Sequence, residues 1–141
     1  MTPIYDMPLK RSNEYASFIM DGIANNNEVT INANVMNNNL IDNLPSNCCV
    51  EVPVIINSKG YKPQKFGKLP EQLAALMRTN INVQILTAEA ALTKKREHIY
   101  HAAMLDPLTG ANLTIDEIYS MTDKMIEAQG NYVPQYDGWL N

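Results

Sequence analysis

The sequence predicts an α+β fold, a small antiparallel sheet packed with long helices. Two stretches in the first half alternate apolar and polar residues with the period of two that a half-buried strand requires. Residues 71–105 instead read as helical and apolar on several sides, as a helix buried in the core or at an interface is. Strand and helix patterns are segregated along the chain, which gives the α+β class. With 141 residues, the chain has the length of one domain, expected over 1–141.

Residues 1–9 hold two prolines and read as an irregular lead-in. KRSNEYASFIMDGIANN, residues 10–26, reads as a helix. Ser12 is placed to cap it and Glu14 to meet the positive end of its dipole. Tyr15, Phe18, Ile19, Gly22 and Ile23 would form one buried face, and Asn25, Asn26 and Asn27 would stop the helix. EVTINANV, residues 28–35, follows as a strand with Val29, Ile31, Ala33 and Val35 facing inward. Residues 37–47 form a loop closed by Leu44 and Pro45. CCVEVPVIIN, residues 48–57, is a second strand whose inner face holds Val50, Val52, Val54 and Ile56. Proline cannot donate to a ladder, so Pro53 predicts an edge strand or a bulge. Ser58, Lys59 and Gly60 turn the chain, and YKPQKFG gives a short third strand.

Leu69-Pro70-Glu71 starts the helical half, with proline in the first turn. The run to Leu105 reads as one helix or two. Its β-branched, amide-rich part, Thr79–Val83, is the expected kink, and Asp106-Pro107 the end. Thr114-Ile115-Asp116-Glu117 fits a capping box, with Leu113 and Ile118 at the spacing of a hydrophobic staple. The last helix should run to about Gly130, before an aromatic, irregular tail.

Composition narrows the function. Hydrophobic residues make up 45% of the chain and charged residues 18%, a globular balance. Net charge is −4 and no Lys/Arg run is present, so no nucleic-acid partner is expected. No apolar stretch reaches the roughly 20 residues a membrane helix needs. The N-terminal residues lack the order of a signal peptide, and there are only two cysteines, so a cytoplasmic setting is expected. Cys48 and Cys49 are adjacent, which suits neither a disulfide nor a CxxC metal site. GxGxxG after a strand, a P-loop, GxSxG and HExxH are all absent.

Three groups of residues could carry chemistry. His98 and His101 in EHIYH are three apart on a helix and could share a cation, but no third ligand accompanies them. A partly exposed pair is the expectation, with no metal site. Arg78, Asn82 and Glu89 fall near one face of the long helix, as a cleft lining or as its solvated side. Asn37, Asn38 and Asn39 offer neutral donors and acceptors. These suit hydroxyl-rich sugars or a nicotinamide carboxamide, and they equally suit turns, because asparagine tolerates left-handed backbone.

Four segments carry a resemblance: KRSNEYASFIMDGI, VMNNNLIDNLPSNCCVEVPVII, LPEQLAALMRTNINVQILTAEAAL and MLDPLTGANLTIDEI. The pattern V-x-N-N-x-x-I-x-N-L-P before V-E-V-P, then A-A-L-x-x-T-N-x-x-V-Q, resembles the C-terminal part of glycoside hydrolase family 4 over about residues 9–130. The form NCCVEV resembles the α-galactosidase branch most, with 6-phospho-glucosidases as the alternative.

The resemblance implies a substrate domain of the lactate/malate dehydrogenase type, whose N-terminal Rossmann domain lies outside these residues. It also implies NAD and Mn²⁺ as cofactors of the intact enzyme. In that chemistry a hydride leaves the sugar, a base removes the neighbouring proton, the glycosidic oxygen is eliminated, and water then adds. The family's metal-binding cysteine and histidine and its base tyrosine would lie upstream. Cys48, Cys49, His98, His101 and Tyr15 therefore take none of those roles. No catalytic residue and no bound cofactor is expected on this chain alone. Asn37, Asn38 and Arg78 are expected at the substrate and cofactor cleft. The expected partners are the Rossmann domain or a companion chain, the sugar, and further copies of the chain in a homo-oligomer. The alternatives are a stand-alone oligomerisation or sugar-binding module derived from the enzyme, or a piece of a 6-phospho-glucosidase.

Overall fold

A computed structural model describes residues 13–137 of the chain. The elements in order are α1 (Ala16–Asn25), β1 (Val29–Met36), β2 (Cys49–Asn57), β3 (Gly60–Pro63), α2 (Glu71–Thr93), α3 (Arg96–Leu105), α4 (Pro107–Asn112) and α5 (Ile115–Gln129), then a 3-10 turn, Gly130–Tyr132. The class is α+β, as predicted. The described residues divide into two compact units, one of residues 13–35 with 50–65, the other of residues 36–49 with 66–137.

In the first unit the sheet order is β1-β2-β3. Both strand patterns were legible. Val29, Ile31, Ala33 and Val35 are the less exposed positions of β1, and Val50, Val52, Val54 and Ile56 are buried along β2. β2 and β3 are antiparallel, with Val54 opposite Pro63 and Asn57 opposite Gly60. The Asn57 side chain accepts from the Lys59 amide at 2.9 Å, and Gly60 takes φ +118°, which closes the hairpin.

The expected edge position for Pro53 is corrected, because β2 is the central strand. The Pro53 carbonyl accepts from Gln64 N at 2.8 Å. N and O of one residue point the same way across an antiparallel ladder, so the missing donor of Pro53 faces β3 where that strand has ended.

Helix α1 begins at Ala16, later than expected, with Tyr15 at its N-cap and no side-chain cap. Glu14 therefore precedes the first turn, while Ser12 and the lead-in over 1–9 lie outside the described residues. Gly22 is the buried residue of α1, whereas Tyr15 and Ile23 are exposed. A Cβ at Gly22 would stand 2.9 Å from Asn27 O and 3.1 Å from Val29 Cγ1, so glycine permits the close approach of α1 to β1. Asn26 ends α1 in a left-handed conformation.

In the second unit α3 packs against α2, α4 and α5. The expected kink at Thr79–Val83 does not form, and the break falls at Lys94–Lys95 instead. Thr79 and Thr87 hydroxyls donate to Leu76 O and Val83 O on the preceding turn, and Ile81 is buried. Burial of one such side chain outweighs the few tenths of a kcal/mol by which β-branched residues disfavour helix, at about 1.5–3 kcal/mol. Lys94 ends α2 at φ 59°, its N–H on Ala90 O at 3.0 Å. Pro70 stands at the N-cap of α2, one position before the first turn.

Asp106 ends α3 and caps α4, a short helix the sequence reading missed. The capping box of α5 is present in full, and α5 ends at Gly130 as expected. After the 3-10 turn, Asp137 N donates to Lys94 O at 2.8 Å. No helix among the described residues is long and apolar enough to cross a membrane.

Candidate functional site

The asparagine segment is a tight loop built around one side chain. Asn37 is 0% exposed. Its Nδ2 donates to Ile41 O, Leu44 O and Pro45 O at 3.0, 3.1 and 3.0 Å, and its Oδ1 accepts from Ile41 N at 2.7 Å. An amide serves here because it donates and accepts at once without a buried charge. Asn37 therefore acts by shaping the loop, since its polar atoms are engaged within it.

The next two residues turn outward. Asn38 and Asn39 have φ 41° and 64°, consecutive left-handed positions that asparagine tolerates better than other residues with a Cβ. Both are exposed, and among the described residues their side-chain amides make no hydrogen bond. The loop is laced to the segment before α2. Leu40 O accepts from Phe66 N and Gly67 N at 2.9 and 3.0 Å, and Asp42 N donates to Gly67 O at 2.9 Å.

Arg78, on α2, reaches the same loop. Its Nη1 donates to Asn43 O at 3.3 Å, and its Nη2 lies 3.8 Å from Glu71, which also pairs with Lys68 at 2.9 Å. The Lys68 hydrogen bond, with the charges of Lys68 and Arg78, holds the Glu71 carboxyl below its usual value. Arg78 thus meets the loop that carries Asn37 and Asn38 at one point, the Asn43 carbonyl. The sequence reading did not single out Asn43, although the motif contains it. Asn82 and Glu89 are exposed and make no hydrogen bond to this loop.

The other candidates stay apart. The His98 and His101 rings lie edge-on with centroids 6.4 Å apart, and the buried His98 Nδ1 has no hydrogen-bond partner among the described residues. Cys48 is buried, which pushes its thiol up, and Cys49 is exposed; neither is in a disulfide. Among the described residues no three His, Cys, Asp or Glu side chains are grouped to hold a metal ion. A second polar cluster brings Asp123 to Arg96, 27 residues away, a pairing no local spacing announces. Arg96 donates to Tyr100 Oη at 2.8 Å and to Asp123 at 2.7 Å, and Tyr100 donates to Asp123. Burial first, and then the hydrogen bond to Asp123, raise the Tyr100 phenol.

Residues 3–109 match the family 4 glycosyl hydrolase C-terminal domain. The chain belongs to that family. It is 49% identical over 127 residues to an α-galactosidase of Bacillus subtilis, covering 90% of this chain and 29% of that protein. An α-galactosidase of Rhizobium meliloti is 35% identical, with 91% and 26% covered. A maltose-6′-phosphate glucosidase of Clostridium acetobutylicum is 30% identical, with 86% and 28% covered. The chain thus spans under a third of the length of these relatives. The fold matches a 6-phospho-α-glucosidase from gut microorganisms solved with NAD and Mn²⁺, at TM-score 0.75 and 20% identity, covering 86% of this chain and 27% of that one. It also matches a Thermotoga maritima 6-phospho-β-glucosidase solved with NAD and glucose 6-phosphate, at TM-score 0.73 and 21% identity, with 85% and 29% covered.

Proposed function

We propose that this chain is the C-terminal substrate and oligomerisation domain of an NAD- and Mn²⁺-dependent glycosidase acting on α-galactosides. The observation that carries the reading is the loop at residues 37–45, which Asn37 holds from within, which exposes the Asn38 and Asn39 amides, and whose Asn43 carbonyl receives Arg78, within a family domain. The α-galactoside preference rests on 49% identity to an α-galactosidase, against 30% to a maltose-6′-phosphate glucosidase. In this reading Asn38 donates to and accepts from hydroxyl groups of the sugar or the nicotinamide carboxamide. Arg78 offers its remaining N–H donors to an oxygen of the ligand, and Asn37 keeps the loop in shape. The nucleotide-binding domain, the metal ligands and the base belong to the rest of the enzyme or to a companion chain, so the chain alone is inactive.

Thermal unfolding of the 141-residue chain with NAD⁺ and Mn²⁺, with and without galactose, tests the division of labour. The reading expects no shift in midpoint. A shift that saturates with NAD⁺ places a nucleotide site on this chain and defeats the proposal. In the intact enzyme, Asn38→Ala should raise the Michaelis constant or lower turnover; unchanged kinetics would remove Asn38 from the site.

The helical unit also exposes Leu92, Leu105, Leu108 and Met125, apolar surface that supports a homo-oligomer. Sedimentation at low concentration checks this, and a strict monomer counts against it.

A further inference from the structure

We propose that Asn43 is a positioning residue, which locks the asparagine loop and Arg78 into one rigid unit. The inference rests on the reading above, in which Asn38 and Arg78 meet the ligand, and it assigns a role to a residue outside that pair. The Asn43 side chain pairs with a backbone unit 26 residues away. Its Nδ2 donates to Leu69 O at 2.9 Å, and its Oδ1 accepts from Leu69 N at 3.0 Å. This two-point pairing imitates one rung of a β-ladder, and it fixes distance and direction together. Leu69 immediately precedes Pro70, the N-cap of α2. The side chain of Asn43 therefore ties the loop to the start of the helix that carries Arg78, while its main-chain carbonyl receives Arg78 Nη1 at 3.3 Å.

The geometry at Arg78 explains why such a tie matters. Its guanidinium has five N–H donors, of which one is taken by Asn43 O, while the Glu71 carboxylate stands at 3.8 Å. A cation held this lightly by its own carboxylate depends on the carbonyl for its direction. That carbonyl is only as fixed as the residue that bears it. Without the Leu69 pairing, residue 43 keeps its main-chain oxygen but loses the tether that sets where the oxygen lies. Asn37 holds the loop's internal shape, and Asn43 holds the loop to the helix. The two asparagines thus divide form from placement.

Two-dimensional NMR of the whole chain without ligand tests this, by following the Arg78 Nε–H signal and the Asn38 and Asn39 amides. The variants are Asn43→Ala and, as a control, Thr114→Ala, which removes the α5 cap and lowers stability without touching the loop. Asn43→Ser serves as a second variant if Asn43→Ala does not fold. The proposal expects Asn43→Ala to move the Arg78 signal toward that of a free arginine and to speed exchange of the Asn38 amide about tenfold or more. Thr114→Ala should leave both unchanged. Identical Arg78 and loop signals in the Asn43 variant and the control would overturn the proposal. Because no ligand is present, this result is separate from the kinetic test of Asn38: the clamp stands if Asn38→Ala leaves turnover unchanged, and falls if Arg78 ignores Asn43.

Discussion

Asn37→Ala should be among the most damaging single truncations of a polar side chain in the helical unit. The structure gives the magnitude. Four hydrogen bonds are lost, but their partners are not equally stranded. Ile41 O still accepts from Leu44 N at 3.4 Å, and Pro45 O still accepts from Cys48 N at 3.3 Å. Ile41 N and Leu44 O lose their partner, and both residues are buried. Two buried polar groups left unsatisfied, at about 1–3 kcal/mol each, give a loss of about 2–6 kcal/mol. For a chain of this size that lowers the thermal midpoint by about 6–24 °C. Urea unfolding followed by circular dichroism measures it. A loss under about 1 kcal/mol would refute the reasoning, since it would mean that water replaces the amide at little cost.

Asn37→Asp sharpens the test. The new carboxyl keeps an acceptor for Ile41 N but faces three carbonyl oxygens in place of the donor. Its folded-state pKa should rise above the unfolded value near 3.9. The charged form is disfavoured in the fold, so this variant should lose stability as pH rises from about 4 to 7. A variant equally stable at both pH values would contradict the placement of those carbonyls.

Other predictions follow from single contacts. Thr122→Val should be neutral or stabilising by up to about 1 kcal/mol, because the Thr122 hydroxyl is buried with no hydrogen-bond partner; marked destabilisation in urea would reveal a partner. Gly22→Ala should destabilise by about 1–3 kcal/mol despite alanine's higher helix propensity, because its Cβ would stand 2.9 Å from Asn27 O; a gain in thermal midpoint would oppose this. Backbone hydrogen bonds from Thr109 and Thr114 hold Asp106 and Glu117 below their ordinary values of 3.8 and 4.5. Their stabilisation is therefore complete above those values and is lost as pH falls through the lower folded ones. The thermal midpoint should decline below about pH 4.5, and Glu117→Gln should flatten part of that decline.

Much of the architecture could be read from periodicity and local chemistry. Val50 to Ile56 alternated inward as expected, and Thr114 and Glu117 form the capping box their spacing announced. The failures have a common physical cause, because tertiary contacts decided them. Pro53 is accommodated in a central strand because β3 ends opposite it, a fact of register that no local window contains. The helix break moved from Thr79–Val83 to Lys94, where the Lys94 carbonyl is taken by Asp137, 43 residues further on.

The same distinction divides the candidate site. Asn37 and Asn38 could be picked out by amide chemistry and by the motif. What Asn37 does was not visible in the motif: its buried amide binds the backbone carbonyls of Ile41, Leu44 and Pro45. Asn43 was passed over because its partner, Leu69, lies in another segment. Arg96, Tyr100 and Asp123 were missed for the same reason.

The measurement that tests the central claim most directly is a domain replacement. The segment of the Bacillus subtilis α-galactosidase that this chain matches would be exchanged for this chain, and hydrolysis of an aryl α-galactoside followed with NAD⁺ and Mn²⁺. Turnover should require both cofactors and weaken with Asn38→Ala. A folded hybrid that binds NAD⁺ but does not cleave the galactoside would contradict it.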